Sequence, residues 1–431
     1  MKILVRALLV LSIAASRATA APPTTVVYPI GVHPLDTQNV QNALDGGGTV
    51  LLKATNLAGV PTHFNFGPSD STGGWVEFHV DAALTGERLG GVETIIEGGW
   101  YPVQNFGGAA TLSVRNITFN TPFDGALLLY GAHTTVTGNH AFHAIGHVAP
   151  DGITTIAEVI VVGFAGRVLI ENNIVDGVGA DLGFGVSQFR AAGPVMIRGN
   201  RLGGTGYGTI ESSFNFNSAT GVPATVDIVD NVLRPGPAPN GFGVGIECNG
   251  QGAYYVARND IVVESPNGLG IYMLGAPAFG IAPMIEPVIE KNNVAMRPRT
   301  DQGPVFGDGI DLIGAVSGAY VGQNGIEGGA FSALGLYNVG RSGSDLGGNT
   351  YVGNQIARFV ANTADVYLDT AAHDTVLKGF SGSVIDLGSN NDITGFSQGQ
   401  AATDQIRQAT QLRNQTAQAA RDLLRQHGAL P

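Results

Sequence analysis

An asparagine that follows a short apolar strand recurs along this chain, and it constrains the fold more than any other feature. The later copies are Asn173, Asn200, Asn231, Asn259, Asn293, Asn324 and Asn354, and earlier ones stand at Asn116 and Asn139. From Asn173 onward the intervals are 27, 31, 28, 34, 31 and 30 residues. A period near thirty with variable gaps is typical of a coil whose strands stack while its loops differ in length.

Asparagine suits a fixed corner of such a coil for two reasons. It tolerates the left-handed backbone that a sharp turn needs, and its amide can bond to the coils above and below. A second element, glycine followed by alternating apolar residues, lies between the asparagine strands, as in Gly245-Ile246-Glu247-Cys248 and Gly335-Leu336-Tyr337. We therefore predict an all-β, single-stranded right-handed parallel β-helix of roughly ten coils, stacked about 4.8 Å apart. Leucine-rich repeat proteins also contain asparagine ladders, but their leucine-rich consensus is absent from this sequence.

Both ends of the predicted coil carry helical patterns. Asp36 is a candidate N-cap, Val40 and Leu44 are four residues apart, and Gly46-Gly47-Gly48 ends the helix. This helix would cover the first coil and protect its edge strand. We predict a second helical segment at residues 401–431, which would cap or flank the last coils or, alternatively, mediate oligomerisation. The β-helix domain would span residues 21–400.

The first twenty residues have the pattern of an export signal. Lys2 and Arg6 precede a short apolar run, Ala7 to Ala15, and Ala18-Thr19-Ala20 is a small-x-small cleavage site. The apolar run is shorter than the roughly 20 residues that span a bilayer. We expect residues 1–20 to be a cleaved signal peptide and the protein to be periplasmic or secreted, without membrane insertion.

The charge of the chain limits the classes of molecule that it can bind. The formal net charge is -12, and removing Lys2, Arg6 and Arg17 with the leader makes it -15. Such a field disfavours nucleic acid, and it disfavours a polyanionic glycan unless a cation such as Ca²⁺ bridges the two. Cys248 is the single cysteine, so no intramolecular disulfide can form, and we expect it to be a small buried apolar residue.

The segment from Asp36 to Leu52, followed by the asparagine-corner coils, resembles the pectate-lyase-like superfamily. The resemblance covers nearly the whole mature chain and implies a β-helix with a long-chain carbohydrate bound along one face. The reaction motifs of that superfamily are mostly missing. Gly307-Asp308-Gly309-Ile310-Asp311 stands where polygalacturonases have Gly-Asp-Asp, and their other motifs have no counterpart.

Alignment of the glycine-containing strands predicts a column of outward-facing side chains. Alternation places Ile or Val inside, so the residue after it points outward. The column contains Ser187, Glu211, Glu247, Tyr272, Asp311, Tyr337 and Tyr367. Carboxylates can transfer protons and tyrosine rings can stack on sugars, so Tyr272 and Tyr337 are candidate substrate-binding residues. Solvated positions that serve no function are the alternative interpretation.

The rung spacing makes this column a catalytic hypothesis. Glu211 and Glu247 should be one rung apart, about 4.8 Å, close to the roughly 5–5.5 Å between the carboxyls of retaining glycosidases. Glu247 and Asp311 should be two rungs apart, near the wide end of the inverting range. Asp308 could assist from the adjoining turn. The insertions Gly275 to Pro287 and Met296 to Phe306 could wall a groove over this face.

A second group of titratable residues is the histidine cluster. It comprises His133, His140, His143 and His147, with Asp151 nearby. His140 and His143 could serve as a base or as metal ligands. Because no helical spacing or second motif supports a metal, we favour a solvated turn and predict no metal site.

Three functions remain compatible with the sequence. The first is an enzyme that cleaves a polysaccharide, by hydrolysis or elimination, with a near-neutral glycan favoured by the charge. The second is a non-catalytic glycan-binding protein at the cell surface or in the periplasm, and the third is a structural rod. The enzyme hypothesis predicts a loop-walled cleft that contains paired acids. The binding-protein hypothesis predicts the tyrosine stripe without paired acids, and the rod hypothesis predicts a flat, open face.

Overall fold

The computed structural model describes residues 23–148, 152, 155–177, 180, 183–236, 242–297, 306–328, 332–338, 344–357 and 364–399. The signal peptide predicted at residues 1–20 and the helical tail predicted at 401–431 lie outside the described residues. Within the described part of the chain, no helix is long and apolar enough to cross a membrane.

The chain coils through three parallel sheets of 13, 11 and 13 strands, and the fold is a parallel β-helix. One coil shows the path. Arg167–Glu171 lies in sheet 1, Ile174–Asp176 in sheet 2 and Phe184–Phe189 in sheet 3. The chain then returns to sheet 1 at Val195–Arg198, which pairs in parallel with Arg167–Glu171. A complete coil therefore adds one strand to each sheet, whereas the coils at the two ends add none to sheet 2.

The strands of each sheet follow one another in chain order. Sheet 1 consists of Thr24–Val27, Gly48–Leu52, Ala82–Gly86, Thr111–Arg115, His133–Thr137, Arg167–Glu171, Val195–Arg198, Thr225–Val229, Ala253–Ala257, Val288–Glu290, Tyr320–Gly322, Thr350–Val352 and Val376–Lys378. Sheet 2 consists of Phe64–Asn65, Ile95–Glu97, Thr118–Asn120, His140–Phe142, Ile174–Asp176, Arg201–Thr205, Val232–Pro235, Asp260–Val263, Asn293–Met296, Gly325–Glu327 and Gln355–Ala357. Sheet 3 consists of Val76–Glu77, Val103–Phe106, Leu127–Tyr130, Ile160–Gly163, Phe184–Phe189, Gly208–Ser213, Phe242–Asn249, Asn267–Gly275, Phe306–Gly314, Leu334–Tyr337, Val366–Leu368, Ser383–Asp386 and Ser397–Gln398.

Among the described residues, four short strand pairs and two helices accompany the three sheets. The antiparallel pairs are Arg88–Leu89 with Val92–Glu93 and His147–Val148 with Thr155–Ile156. The parallel pairs are Met284–Ile285 with Val316–Ser317 and Leu346–Gly347 with Ala372–His373. The helices are an α-helix at Leu35–Asp45 and a 3₁₀ turn at Pro277–Phe279.

A buried asparagine ladder runs along the corner between sheets 1 and 2. Its members are Asn139, Asn173, Asn200, Asn231, Asn259, Asn292, Asn324 and Asn354. At Asn200, Nδ2 donates to the Ile170 carbonyl and to Oδ1 of Asn231, both at 3.0 Å. The Asn200 backbone N–H also donates to Oδ1 of Asn231 at 3.0 Å. Each side chain except that of Asn354, the last member of the ladder, thus bonds to the coils on both sides of it.

The ladder corrects two details of the sequence analysis. Asn292, not Asn293, is the ladder member, and Asn116 lies one residue before the ladder position, which Ile117 occupies. The left-handed residue is also not the ladder asparagine but the residue before it, as at Asn172 (φ 55°) and Arg258 (φ 56°). The asparagine is therefore required for its amide hydrogen bonds, and the turn itself accepts other residues.

The α-helix lies against the first strands, and its Val40 and Leu44 join the main apolar core. The prediction that Asp36 is the N-cap is wrong, because Pro34 holds that position. The buried carboxylate of Asp36 instead accepts backbone N–H groups of Ile30, Gly31, Val32 and Asn65 at 2.8 to 3.1 Å. It joins the helix to the preceding segment and to sheet 2.

The recurring glycine of the sheet 3 strands has a steric cause. A Cβ on Gly245 or Gly309 would lie 2.5 Å from Cγ2 of Ile261 or Ile326 in sheet 2, and a Cβ on Gly270 would overlap Cγ1 of Val294. The coil is too narrow at this level for a side chain from each of the two sheets. Gly335 does not belong to this series, because it pairs with Asp311.

We expect Gly270→Ala to lower the free energy of unfolding by about 1–3 kcal/mol, because the new methyl group overpacks the core against Val294 and the Gly309 carbonyl. Urea denaturation measures the change. Gly325→Ala is the matched control, since its Cβ would meet only Oδ1 of Asn293, at 3.4 Å. Equal losses in the two variants would refute the steric explanation.

Candidate functional site

The predicted column exists on the outer face of sheet 3 over five successive strands. Ser187, Glu211, Glu247, Tyr272 and Asp311 are Cα partners in turn along the sheet. Glu211 and Glu247 are therefore one rung apart. Glu247 and Asp311 are two rungs apart, with Tyr272 between them.

Tyr337 does not occupy the column position predicted for it. It pairs with Ile313, and Gly335 is the partner of both Asp311 and Tyr367. The Tyr337 ring nevertheless covers the space that a Cβ on Gly335 would need, and it stacks on Tyr367 with centroids 4.9 Å apart. The register differs from the prediction because Gly335 is not equivalent to Gly245, Gly270 and Gly309, the glycines on which the alignment of the strands was based.

The column is buried, whereas the sequence analysis expected exposed side chains. Glu211 and Glu247 are each 1% exposed, and Tyr272 and Asp311 are fully buried. A second apolar cluster covers the outer face of sheet 3, and Ala276 and Ile281 of the 275–287 insertion belong to it. Because the face is covered, Tyr272 and Tyr337 present no open ring to a sugar in this conformation.

Glu211 and Glu247 belong to one continuous hydrogen-bond network. Glu211 accepts from Ser187 Oγ at 2.7 Å through Oε2 and from Ser213 Oγ at 2.8 Å through Oε1. Asn249 Nδ2 donates to Ser213 Oγ at 3.1 Å and to Glu247 Oε1 at 2.8 Å. We call Ser187, Glu211, Ser213, Glu247 and Asn249 the acid network.

This environment changes the protonation of Glu247. Burial raises the pKa of Glu247 to about 8, and the negative charge of Glu211 adds to the increase. Hydrogen bonds from Asn249 and Tyr207 oppose it. Glu247 is therefore a protonated acid at neutral pH. Burial, followed by the charge of Glu247, also raises the pKa of the Tyr207 hydroxyl well above its usual value.

Asp308 and Asp311 lie outside the acid network. Asp308 Oδ1 accepts the Ser332 backbone N–H at 2.7 Å and Ser332 Oγ at 3.1 Å. Ser332 Oγ in turn contacts the Tyr337 hydroxyl at 2.6 Å. Burial raises the pKa of Asp311 well above its usual value. These aspartates lie toward the C-terminal side of Tyr272, away from the glutamate pair.

The four clustered histidines do not converge. His147 Nδ1 lies 2.8 Å from Asp124 Oδ1, whereas His140 Nδ1 lies 3.8 Å from Glu93 Oε2. Asp151 is outside the described residues. Among the residues that the structure describes, no group of three or more His, Cys, Asp or Glu side chains is arranged to hold a metal ion. Cys248 is buried in the main core, and burial raises the pKa of its thiol.

The sequence analysis did not identify Ser213, Asn249 and Tyr207. Ser213 and Asn249 lie two residues after Glu211 and Glu247, so the period of two in a strand places them on the same outer face. This spacing of two residues could have predicted both positions from the sequence. Tyr207 lies before the strand Gly208–Ser213, so the repeat pattern did not predict its position.

No protein family model and no curated protein matches this chain. Three solved structures are similar in fold at low sequence identity. The Dettilon tailspike protein is 15% identical, with a TM-score of 0.41 over 86% of this chain and 68% of its own. A mutant tailspike protein of E. coli bacteriophage HK620 in complex with a pentasaccharide is 13% identical, with a TM-score of 0.37 over 85% and 68%. The A-module of a mannuronan C-5 epimerase from Azotobacter vinelandii is 14% identical, with a TM-score of 0.29 over 86% and 97%.

Proposed function

We propose that this protein is an extracytoplasmic glycoside hydrolase that acts on a near-neutral polysaccharide through Glu211 and Glu247. The observation that supports the proposal is the pair itself, two carboxyls on adjacent rungs with the pKa of one raised to about 8. A general acid for glycosidic cleavage must hold its proton at the working pH, and a raised pKa provides this.

The pair has the residues for a two-step retaining reaction. Glu247 donates its proton to the glycosidic oxygen as the bond from that oxygen to the anomeric carbon breaks. The Glu211 carboxylate attacks the anomeric carbon and forms a glycosyl ester. Glu247, now ionised, then takes a proton from water, which hydrolyses the ester and regenerates both carboxyls. Adjacent strands are about 4.8 Å apart, close to the roughly 5–5.5 Å between the carboxyls of retaining enzymes.

The substrate class follows from charge. A mature chain with a net charge near -15 repels polyanions, so an uncharged glycan approaches it more readily. An anionic substrate would need a bridging cation such as Ca²⁺, and its uronate residues are open to elimination as well as to hydrolysis. The predicted leader at residues 1–20 supports a location for this activity in the periplasm or outside the cell.

A second candidate function is glycan binding without cleavage. The specific observation in its favour is that both oxygens of Glu211 accept serine hydroxyls inside a closed face, as in a structural polar network. Under the hydrolase proposal, side chains packed around the pair, which include Tyr207, must move before a sugar can reach it.

Product release from a panel of polysaccharides tests the proposal. Xylan, mannan and mixed-linkage glucan are the neutral members, and alginate and polygalacturonate are the anionic ones. We expect new reducing ends from at least one neutral polysaccharide. Unsaturated uronates from an anionic one would replace the hydrolase with a lyase. Retention on a neutral glycan column without any product would replace it with the binding protein.

A further inference from the structure

Four consecutive coils each place one residue between a strand of sheet 2 and the next strand of sheet 3, outside the acid network. Trp75 precedes Val76–Glu77, Trp100 precedes Val103–Phe106, and Asp124 precedes Leu127–Tyr130. His147 lies in the short hairpin before Ile160–Gly163. We call Trp75, Trp100, Asp124 and His147 the loop cluster.

Direct contacts connect these four residues. Trp100 Nε1 donates to Asp124 Oδ2 at 2.5 Å, and Asp124 Oδ1 lies 2.8 Å from His147 Nδ1. The carboxylate therefore holds the indole of Trp100 and the imidazole of His147 in fixed positions. The Trp100 carbonyl also accepts a hydrogen bond from Gln104 Nε2 at 3.0 Å. A site whose side chains are held in this way binds with little loss of rotamer freedom.

The two indoles form an edge-to-face pair that remains open to solvent. Their ring centroids are 5.7 Å apart, and their planes meet at 85°. Trp75 is 44% exposed, and the His147 side chain is 36% exposed. Sheet 3 is thus closed over the acid network and open at the loop cluster.

We propose that the loop cluster is a binding site for a neutral sugar residue, with the exposed ring of Trp75 as the stacking platform. An indole face suits the apolar C–H face of a pyranose, and an adjacent carboxylate and imidazole can hydrogen-bond its hydroxyls. An apolar occupant would desolvate those polar groups without giving them partners. The inference relies on the proposed glycan substrate but not on the catalytic role of the acid network.

The position of the loop cluster on sheet 3 indicates how it would act together with the acid network. The loop cluster belongs to coils that precede the strand containing Glu211 on the same sheet, so one long glycan lying along sheet 3 would meet both. The loop cluster would then hold the chain while the acid network acts on it. A polysaccharide, rather than a disaccharide, is the ligand that fits such a separation.

Intrinsic fluorescence tests the proposal directly, because Trp75 and Trp100 are the only two tryptophans in the 431-residue sequence. Xylohexaose, mannohexaose and cellohexaose are titrated into the wild-type chain while tryptophan emission is recorded. We expect a saturable change with at least one of them. Trp75→Ala should weaken that binding about tenfold and Trp75→Phe about twofold, since phenylalanine keeps a smaller stacking face. Tyr255→Ala, an aromatic truncation on sheet 1, should leave the affinity unchanged.

The same titration separates this inference from the hydrolase proposal. A fluorescence response without any cleavage product would retain the sugar site and remove the hydrolase. Cleavage of a neutral glycan with no tryptophan response, or a response that Trp75→Ala leaves unchanged, would overturn the sugar site.

Discussion

Asn292→Ala should lower the free energy of unfolding by about 4 kcal/mol, the largest effect on stability that we expect from one side chain. Asn292 Nδ2 donates to the Val256 carbonyl at 2.9 Å and to Asn324 Oδ1 at 3.0 Å. Its Oδ1 accepts the backbone N–H and the Nδ2 group of Asn259, at 3.0 and 2.9 Å. Truncation removes all four hydrogen bonds and leaves buried partners unsatisfied, each at a cost of about 1–3 kcal/mol before relaxation.

Asn293 is a matched control because it is the same residue type at the next position. Its side chain is exposed, and its Nδ2 contacts only Asp260 Oδ1, at 3.2 Å. Asn293→Ala should therefore change the free energy of unfolding by about 0.5 kcal/mol or less. Urea denaturation of both variants measures the difference. Similar losses for the two would show that the ladder does not stabilise the stack as we describe.

Glu247→Gln should lower the rate of glycan cleavage by about 10²–10⁴-fold, the range that positioned general acids contribute. Glutamine keeps the size of the side chain and the oxygen that accepts from Asn249, but it has no acidic proton to transfer to the leaving group. Rates of reducing-end release measure the effect. Glu327→Gln on sheet 2, where the side chain is 45% exposed and paired with Arg297, is the matched control and should retain full activity. Equal rates for wild type and Glu247→Gln would remove Glu247 from the reaction.

The same substitution should change how stability depends on pH. The pKa of Glu247 is raised from its ordinary 4.5 to about 8 in the folded state. Between these values the unfolded chain releases the proton and the folded chain keeps it, so the folded state binds more protons and stability falls as pH rises. The contribution of Glu247 is a loss of about 1.4 kcal/mol per pH unit across this window. Glu247→Gln should flatten the decline in urea-denaturation series at pH 5 to 8, and an unchanged slope would contradict the raised pKa.

The stacking of the coils could be predicted because eight successive coils, from that of Asn139 to that of Asn354, share the same corner amide. That requirement leaves a periodic asparagine in the sequence, and the same stacking aligns Glu211, Glu247 and Asp311 across strands. Where two neighbouring residues both match the pattern, the repeat period does not show which of them occupies the structural position. Asn292 and Asn293 are one such case, and the glycine phase of the strand containing Tyr337 is another.

The burial of the column could not be predicted, because part of the apolar cluster on that face comes from outside the repeat. Ala276 and Ile281 lie in an insertion, and nothing in the strand period tells how an insertion folds. The contact of Trp100 with Asp124 likewise joins loops of two successive coils. Alternation in a strand predicts the direction of a side chain but not whether a loop lies over it.

The protonation state of Glu247 is the central claim, and infrared difference spectroscopy tests it most directly. Subtraction of the Glu247→Gln spectrum from that of the wild type isolates this carboxyl from Asp311, whose pKa is also raised by burial. The account predicts a protonated carboxyl band at pH 6 that disappears on titration through about pH 8. A carboxylate band already present at pH 6 would contradict it, because an ionised Glu247 could not donate the proton on which the proposed reaction depends.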